Sequence, residues 1–115
     1  MRKWAYLAEL YEYNGNVVRK VMVHETEFED VYVYIYNSAQ AQICFADEWF
    51  PSVADAEDTW GPMIAAPGWV LIDDPLPGCQ NDCFLPIRVK GRDTGNPAWG
   101  AYELYKDGHW VEYRE

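Results

Sequence analysis

Residues 31–36 read Val-Tyr-Val-Tyr-Ile-Tyr, an alternation of β-branched and aromatic side chains that suits a pleated strand far better than a helix. Successive side chains of a strand point to opposite faces, so Val31, Val33 and Ile35 are expected to face a core. Tyr32, Tyr34 and Tyr36 then form a ladder on the reverse side. A chain built around this segment needs partner strands, and the flanking residues supply them.

Asn14-Gly15 is the kind of dipeptide that closes a two-residue hairpin, and it joins an aromatic stretch, Trp4 to Tyr13, to Val17 through Glu25. Pairing outward from that turn predicts Leu10 opposite Arg19, Glu9 opposite Lys20, Ala8 opposite Val21 and Tyr6 opposite Val23. In that register Trp4, Tyr6, Ala8, Leu10, Val17, Val21 and Val23 share an apolar face, and Glu9 pairs with Lys20 on the other. Asn37 to Gln40 reads as a turn into a further strand around Gln42 to Phe45, completing a meander.

The pattern then changes. Pro51-Ser52-Val53-Ala54-Asp55 predicts a helix start with Ser52 as N-cap and Asp55 in the capping-box position. Asp55, Glu57 and Asp58 suit the positive end of the helix dipole, while Val53, Ala56 and Trp60 recur on one face. Gly61-Pro62 ends the helix. Trp69 to Ile72 and Phe84 to Lys90 are strand candidates, the second with Pro86 near its start as on an edge strand, and Pro75 to Asp82 reads as loop. Asp107-Gly108 closes a second hairpin, predicting Tyr105 opposite Trp110, Leu104 opposite Val111, Glu103 opposite Glu112 and Tyr102 opposite Tyr113. No linker or repeat divides residues 1–115. These elements predict a single α+β domain, mainly antiparallel β-sheet of about six to eight strands packed on one short helix, with a barrel-like roll as the alternative.

Charge constrains function more than any motif does. The formal net charge is −10, and from Val21 to Ile87 there is no Lys or Arg but there are twelve carboxylates. Such a field repels phosphate backbones, so direct nucleic-acid binding is not expected. No window approaches the roughly 20 apolar residues of a membrane helix, and no secretory signal is evident. Cys44, Cys79 and Cys83 are an odd number and too few for a disulfide framework, which points to a reducing, cytoplasmic setting. Cys79 and Cys83 lack a second ligand pair at zinc spacing, the acidic clusters lack the spacing of a calcium loop, and no cofactor motif is present.

Three readings follow. The first is a non-enzymatic interaction protein of the inhibitor, immunity or mobile-element accessory type. It would bind a basic protein partner through an acidic, aromatic-bearing surface formed by Asp47, Glu48, Trp49, Asp55, Glu57, Asp58, Asp73 and Asp74. The second is a small-molecule or anion binder or hydrolase. Arg88, Lys90 and Arg92 alternate along one strand face as the anion-binding stripe, and the opposed Glu103 and Glu112 offer an acid and base pair. Two opposed carboxylates also repel, so the same residues predict neutralisation by Arg114 or by Arg88 and Lys90. The third reading is a homo-oligomer joined through the tyrosine face.

Overall fold

The computed structural model describes all 115 residues, which run β1 (Arg2–Tyr6), β2 (Glu12–Tyr13), β3 (Asn16–Val17), β4 (Lys20–Glu25), β5 (Val31–Tyr36), β6 (Ala46–Phe50), α1 (Val53–Trp60), β7 (Val70–Ile72), β8 (Ile87–Val89), β9 (Tyr102–Lys106) and β10 (His109–Tyr113). Every pairing is antiparallel. The main sheet has five strands in the order β6-β5-β4-β1-β7, a second sheet has the order β10-β9-β8, and β2 with β3 closes the first hairpin. The architecture is α+β, and two of its ten strands are two-residue segments.

Neither sheet closes, so the barrel-like alternative is overturned. A barrel would need β6 to pair with β7, and the two instead stand at opposite edges of the main sheet. Closure is unnecessary because both faces are covered. On one face Val21, Val23, Val31, Val33 and Ile35 pack with Ala56 and Trp60 of α1. On the other, Met22, Tyr34 and Tyr36 are buried with Trp4, Ile72 and Phe84.

Helix α1 forms as its sequence requires. The Ser52 hydroxyl accepts the Asp55 N–H at 3.1 Å and donates to the Asp55 carboxylate at 2.8 Å, which satisfies one of the orphan donors of the first turn. Ala56 and Trp60 are its buried residues, and the chain continues past Gly61 into one 3-10 turn.

The first hairpin departs from expectation. Tyr13 faces Asn16 and Glu12 faces Val17, as the Asn14-Gly15 turn dictates, but Val21 faces Ala5 where the turn's register demands Ala8. The three-residue slip comes from residues 8–10, which leave the ladder between the Leu7–Arg19 and Tyr11–Val18 backbone bonds. The Ala8 N–H donates to the Met63 carbonyl at 2.9 Å and the Ala65 N–H to the Tyr6 carbonyl at 2.9 Å, so the segment after α1 captures the end of β1. An odd slip exchanges faces: Trp4 and Tyr6 leave the valine side, and Ala5 joins it. Leu10 is left 78% exposed. The Glu9–Lys20 pair does not form, because Lys20 is buried, donating to the Ala39 carbonyl at 2.9 Å and lying 4.0 Å from the Phe84 ring centre.

The strand expected at Gln42 to Phe45 starts instead at Ala46. The amides that would have begun it are engaged elsewhere: Gln42 N–H binds the Glu115 carboxylate at 2.7 Å and Cys44 N–H binds the Asp82 carboxylate at 3.0 Å.

Candidate functional site

Antiparallel order brings the ends of β4, β6 and β7 and the starts of β1 and β5 to one end of the main sheet. At that end lie the turn from Glu25 to Asp30, the start of α1, and Asp73-Asp74. The turn is tight. Thr26 N–H donates to the Asp30 carbonyl at 2.8 Å and Phe28 N–H to the Thr26 hydroxyl at 3.2 Å, with Glu29 in the left-handed region at φ 67°. It leaves Phe28 79% exposed among Glu25, Glu27, Glu29 and Asp30.

Strand β6 borders this end. Register places Trp49 beside Tyr32 and Asp47 beside Tyr34, both on the tyrosine side, while Glu48 faces α1 and accepts the Trp60 indole N–H at 2.9 Å. Trp49 is 58% exposed at the sheet edge. The rings of Tyr32 and Tyr34 stack with centres 6.3 Å apart. Tyr34 and Tyr36 are buried within the chain, and the Tyr36 hydroxyl donates to the Asp82 carbonyl.

The expected partner-binding residues divide between two edges. Asp47, Glu48 and Trp49 lie on edge strand β6, and Asp55, Glu57 and Asp58 on α1, whose Trp60 binds Glu48; Asp73 and Asp74 follow β7 at the opposite edge. Their charges are not equally free. Glu57 pairs with Lys3, and Asp74 pairs with the Met1 amine at 3.0 Å, which holds the Asp74 carboxyl below its usual range. Asp73 contributes its carbonyl, which receives Arg2 at 2.6 and 2.8 Å. None of the five ion pairs involves Asp47, Asp55, Asp58 or the four acids of the Glu25–Asp30 turn. Asp82 is buried and its carboxylate binds the Cys44 amide, so it adds nothing to the outer surface.

The basic stripe does not form as one strand face, because β8 ends at Val89 and Arg92 lies in a 3-10 turn, and its members are mostly engaged. Arg88 donates to Glu103 at 3.0 Å, lies 3.6 Å from Asp93 and sits 3.8 Å from the Trp110 ring centre. Arg92 donates to the Gly78 carbonyl at 3.2 Å and to Gln80 at 3.3 Å, while Lys90 is exposed and in no ion pair. Glu103 and Glu112 are directly opposed, but Glu112 is bound by Arg114 at 2.8 Å, and that bond lowers its carboxyl pKa. A general acid in a glycosidase needs the opposite shift. An opening of about 480 Å³ beside Lys90 is walled by Glu112, Arg114 and Tyr102 but not by Glu103 or Arg88.

Sequence reasoning missed a buried polar row. Register sets Arg2 beside His24 and His24 beside Tyr32. The Arg2 guanidinium binds the carbonyls of Asp73, Asn81 and Cys83, tying the 73–83 segment onto the sheet. His24 Nδ1 lies 3.3 Å from the Tyr34 hydroxyl, and burial, with the Met1 amine and Arg2 nearby, lowers its pKa to about 4. The free thiols of Cys44 and Cys83 are pushed up by burial and by Asp82, which makes them poor nucleophiles. Only the strand register reveals this row, since Arg2 and His24 are 22 positions apart.

No helix is long and apolar enough to cross a membrane. The chain has no significant match among protein-family models, curated proteins or solved structures.

Proposed function

We propose that the chain is a non-enzymatic interaction protein that binds a basic protein partner through the acidic, aromatic-bearing margin of its main sheet. This margin comprises β6, the exposed side of α1 and the Glu25–Asp30 turn. The supporting observation is the placement of unpaired acids. Asp47, Asp55, Asp58, Glu25, Glu27, Glu29 and Asp30 are outside every ion pair and share one end and edge of the sheet with exposed Trp49 and Phe28. Carboxylates left without internal cations speed encounter with a cationic partner, and exposed aromatics supply the desolvated anchor that charge alone lacks. Such a role suits an inhibitor, an immunity protein or a mobile-element accessory protein acting in the cytoplasm.

Calorimetric titration with short Lys/Arg-rich, neutral and acidic peptides at low and high salt tests this reading. Basic peptides are expected to bind best, with affinity falling as salt rises. The triple variant Asp47→Asn, Asp55→Asn, Asp58→Asn is expected to weaken them. Equal binding of the neutral and basic peptides, or affinity indifferent to salt, overturns it.

A further inference from the structure

Strand β6 terminates the main sheet, and none of the backbone hydrogen bonds formed outside the strand ladders involves residues 46–50. Alternate N–H and C=O groups along its outer side therefore face away from β5 with no partner strand. Edges of this kind are blunted by charged residues, Lys above all, by Pro or by a bulge, and the only charges on β6 are the acids Asp47 and Glu48. Ala46-Asp47-Glu48-Trp49-Phe50 contains no Lys or Pro and pairs with β5 in unbroken register. The opposite edge, β7, is only three residues long, with Leu71 exposed and Asp73 bound through its carbonyl to Arg2.

The side chains along β6 define what the edge fits. Asp47 and Trp49 project on the tyrosine side and Glu48 on the helix side. On α1, Glu57 turns toward Lys3 of β1, and Asp55 lies about 200° round the helix from it, away from β1. We propose that β6 accepts an extended basic segment of the partner as a sixth strand. Lys or Arg then stands opposite Asp47 and opposite Glu48, and an Arg or aromatic residue lies against Trp49. The proposal rests on the acidic-surface reading above and adds the backbone geometry. A second copy of the chain fits worse. Twofold pairing centred on Glu48 sets that carboxylate against its own mate and joins two chains of net charge −10.

The test uses a Lys/Arg-alternating peptide of about seven residues, long enough to span such a strand. It is compared with two versions N-methylated at alternate amides, one on each edge of the peptide. Strand addition predicts that one methylated version binds about tenfold or more weakly while the other binds like the parent. The outward amides of residues 46–50 should also gain protection from hydrogen exchange. If both methylated versions behave alike while binding stays salt-sensitive, strand addition is overturned and the acidic-surface reading survives. If no basic peptide binds at low salt, the acidic-surface reading fails, and this inference with it. Sedimentation showing a dimer that protects residues 46–50 without peptide overturns the choice of a basic partner.

Discussion

The indole N–H of Trp60 reaches Glu48 Oε1 at 2.9 Å and so fastens the last turn of α1 to the edge strand β6. Trp60 is 2% exposed. Replacing it removes a bond to a half-buried carboxylate and leaves a void between helix and sheet. Trp60→Phe is expected to cost about 2–4 kcal/mol in urea denaturation with an unchanged m-value. A cost below ~0.5 kcal/mol would show that the helix is not fastened this way.

Arg2 is a buried cation whose ligands are carbonyls of a distant segment. Removing it leaves the Asp73, Asn81 and Cys83 oxygens without their donor. Arg2→Met is expected to cost about 3–5 kcal/mol. Hydrogen exchange should accelerate most in residues 73–83, and a uniform change across the molecule would contradict the assignment.

Glu103 and Glu112 face one another yet should behave differently on neutralisation. Glu103 and its partner Arg88 are mostly buried, with the guanidinium against Trp110. Glu103→Gln is expected to cost about 1 kcal/mol. Glu112→Gln, at an exposed pair, is expected to leave the unfolding midpoint unchanged. Equal effects would show that the two carboxylates act as a coupled pair.

His24 sets an acid-side dependence. Its folded pKa, about 4, lies below the ordinary histidine value of 6.5, so between those values the unfolded chain binds more protons than the folded one. Stability is therefore expected to fall as pH drops from 6.5 toward 4. His24 faces the Met1 amine, Arg2, Asp74 and the Tyr34 hydroxyl. His24→Asn should flatten the profile between pH 6.5 and 4 in denaturation measured across that range. An unaltered slope would place the dependence elsewhere.

Trp49 reports the local field. In a Trp99→Phe background, which removes the other strongly exposed indole, caesium is expected to quench the accessible fluorescence more effectively than iodide. The bias should shrink in high salt. Quenching in favour of iodide would contradict a negative surface at β6.

Features legible from the sequence are those in which neighbouring residues decide. The Ser52 cap places the start of α1, Asp107-Gly108 sets the register of β9 and β10 pair by pair, and the 31–36 alternation assigns valines and tyrosines to opposite faces. The same reasoning places Ala8 beside Val21, because nothing local announces that Met63 and Ala65 compete for the end of β1. Likewise Gln42 to Phe45 have strand-like residues, but carboxylates from Asp82 and Glu115 take the amides of Gln42, Ile43 and Cys44.

For the candidate site, the sequence alone determined the inventory: twelve acids in a stretch from Val21 to Ile87 without Lys or Arg, an aromatic supply and Lys and Arg confined to the two ends of the chain. Tertiary structure decided which of those charges remain free. Lys3, the Met1 amine and Arg2 fold back against Glu57, Asp74 and the Asp73 carbonyl, whereas no cation pairs with a carboxylate of β6 or of the Glu25–Asp30 turn. The reason is physical. A turn or a helix cap is settled by forces acting over a few residues. Ion pairing and edge exposure depend on which distant strands become neighbours, and that is fixed only when the whole sheet assembles.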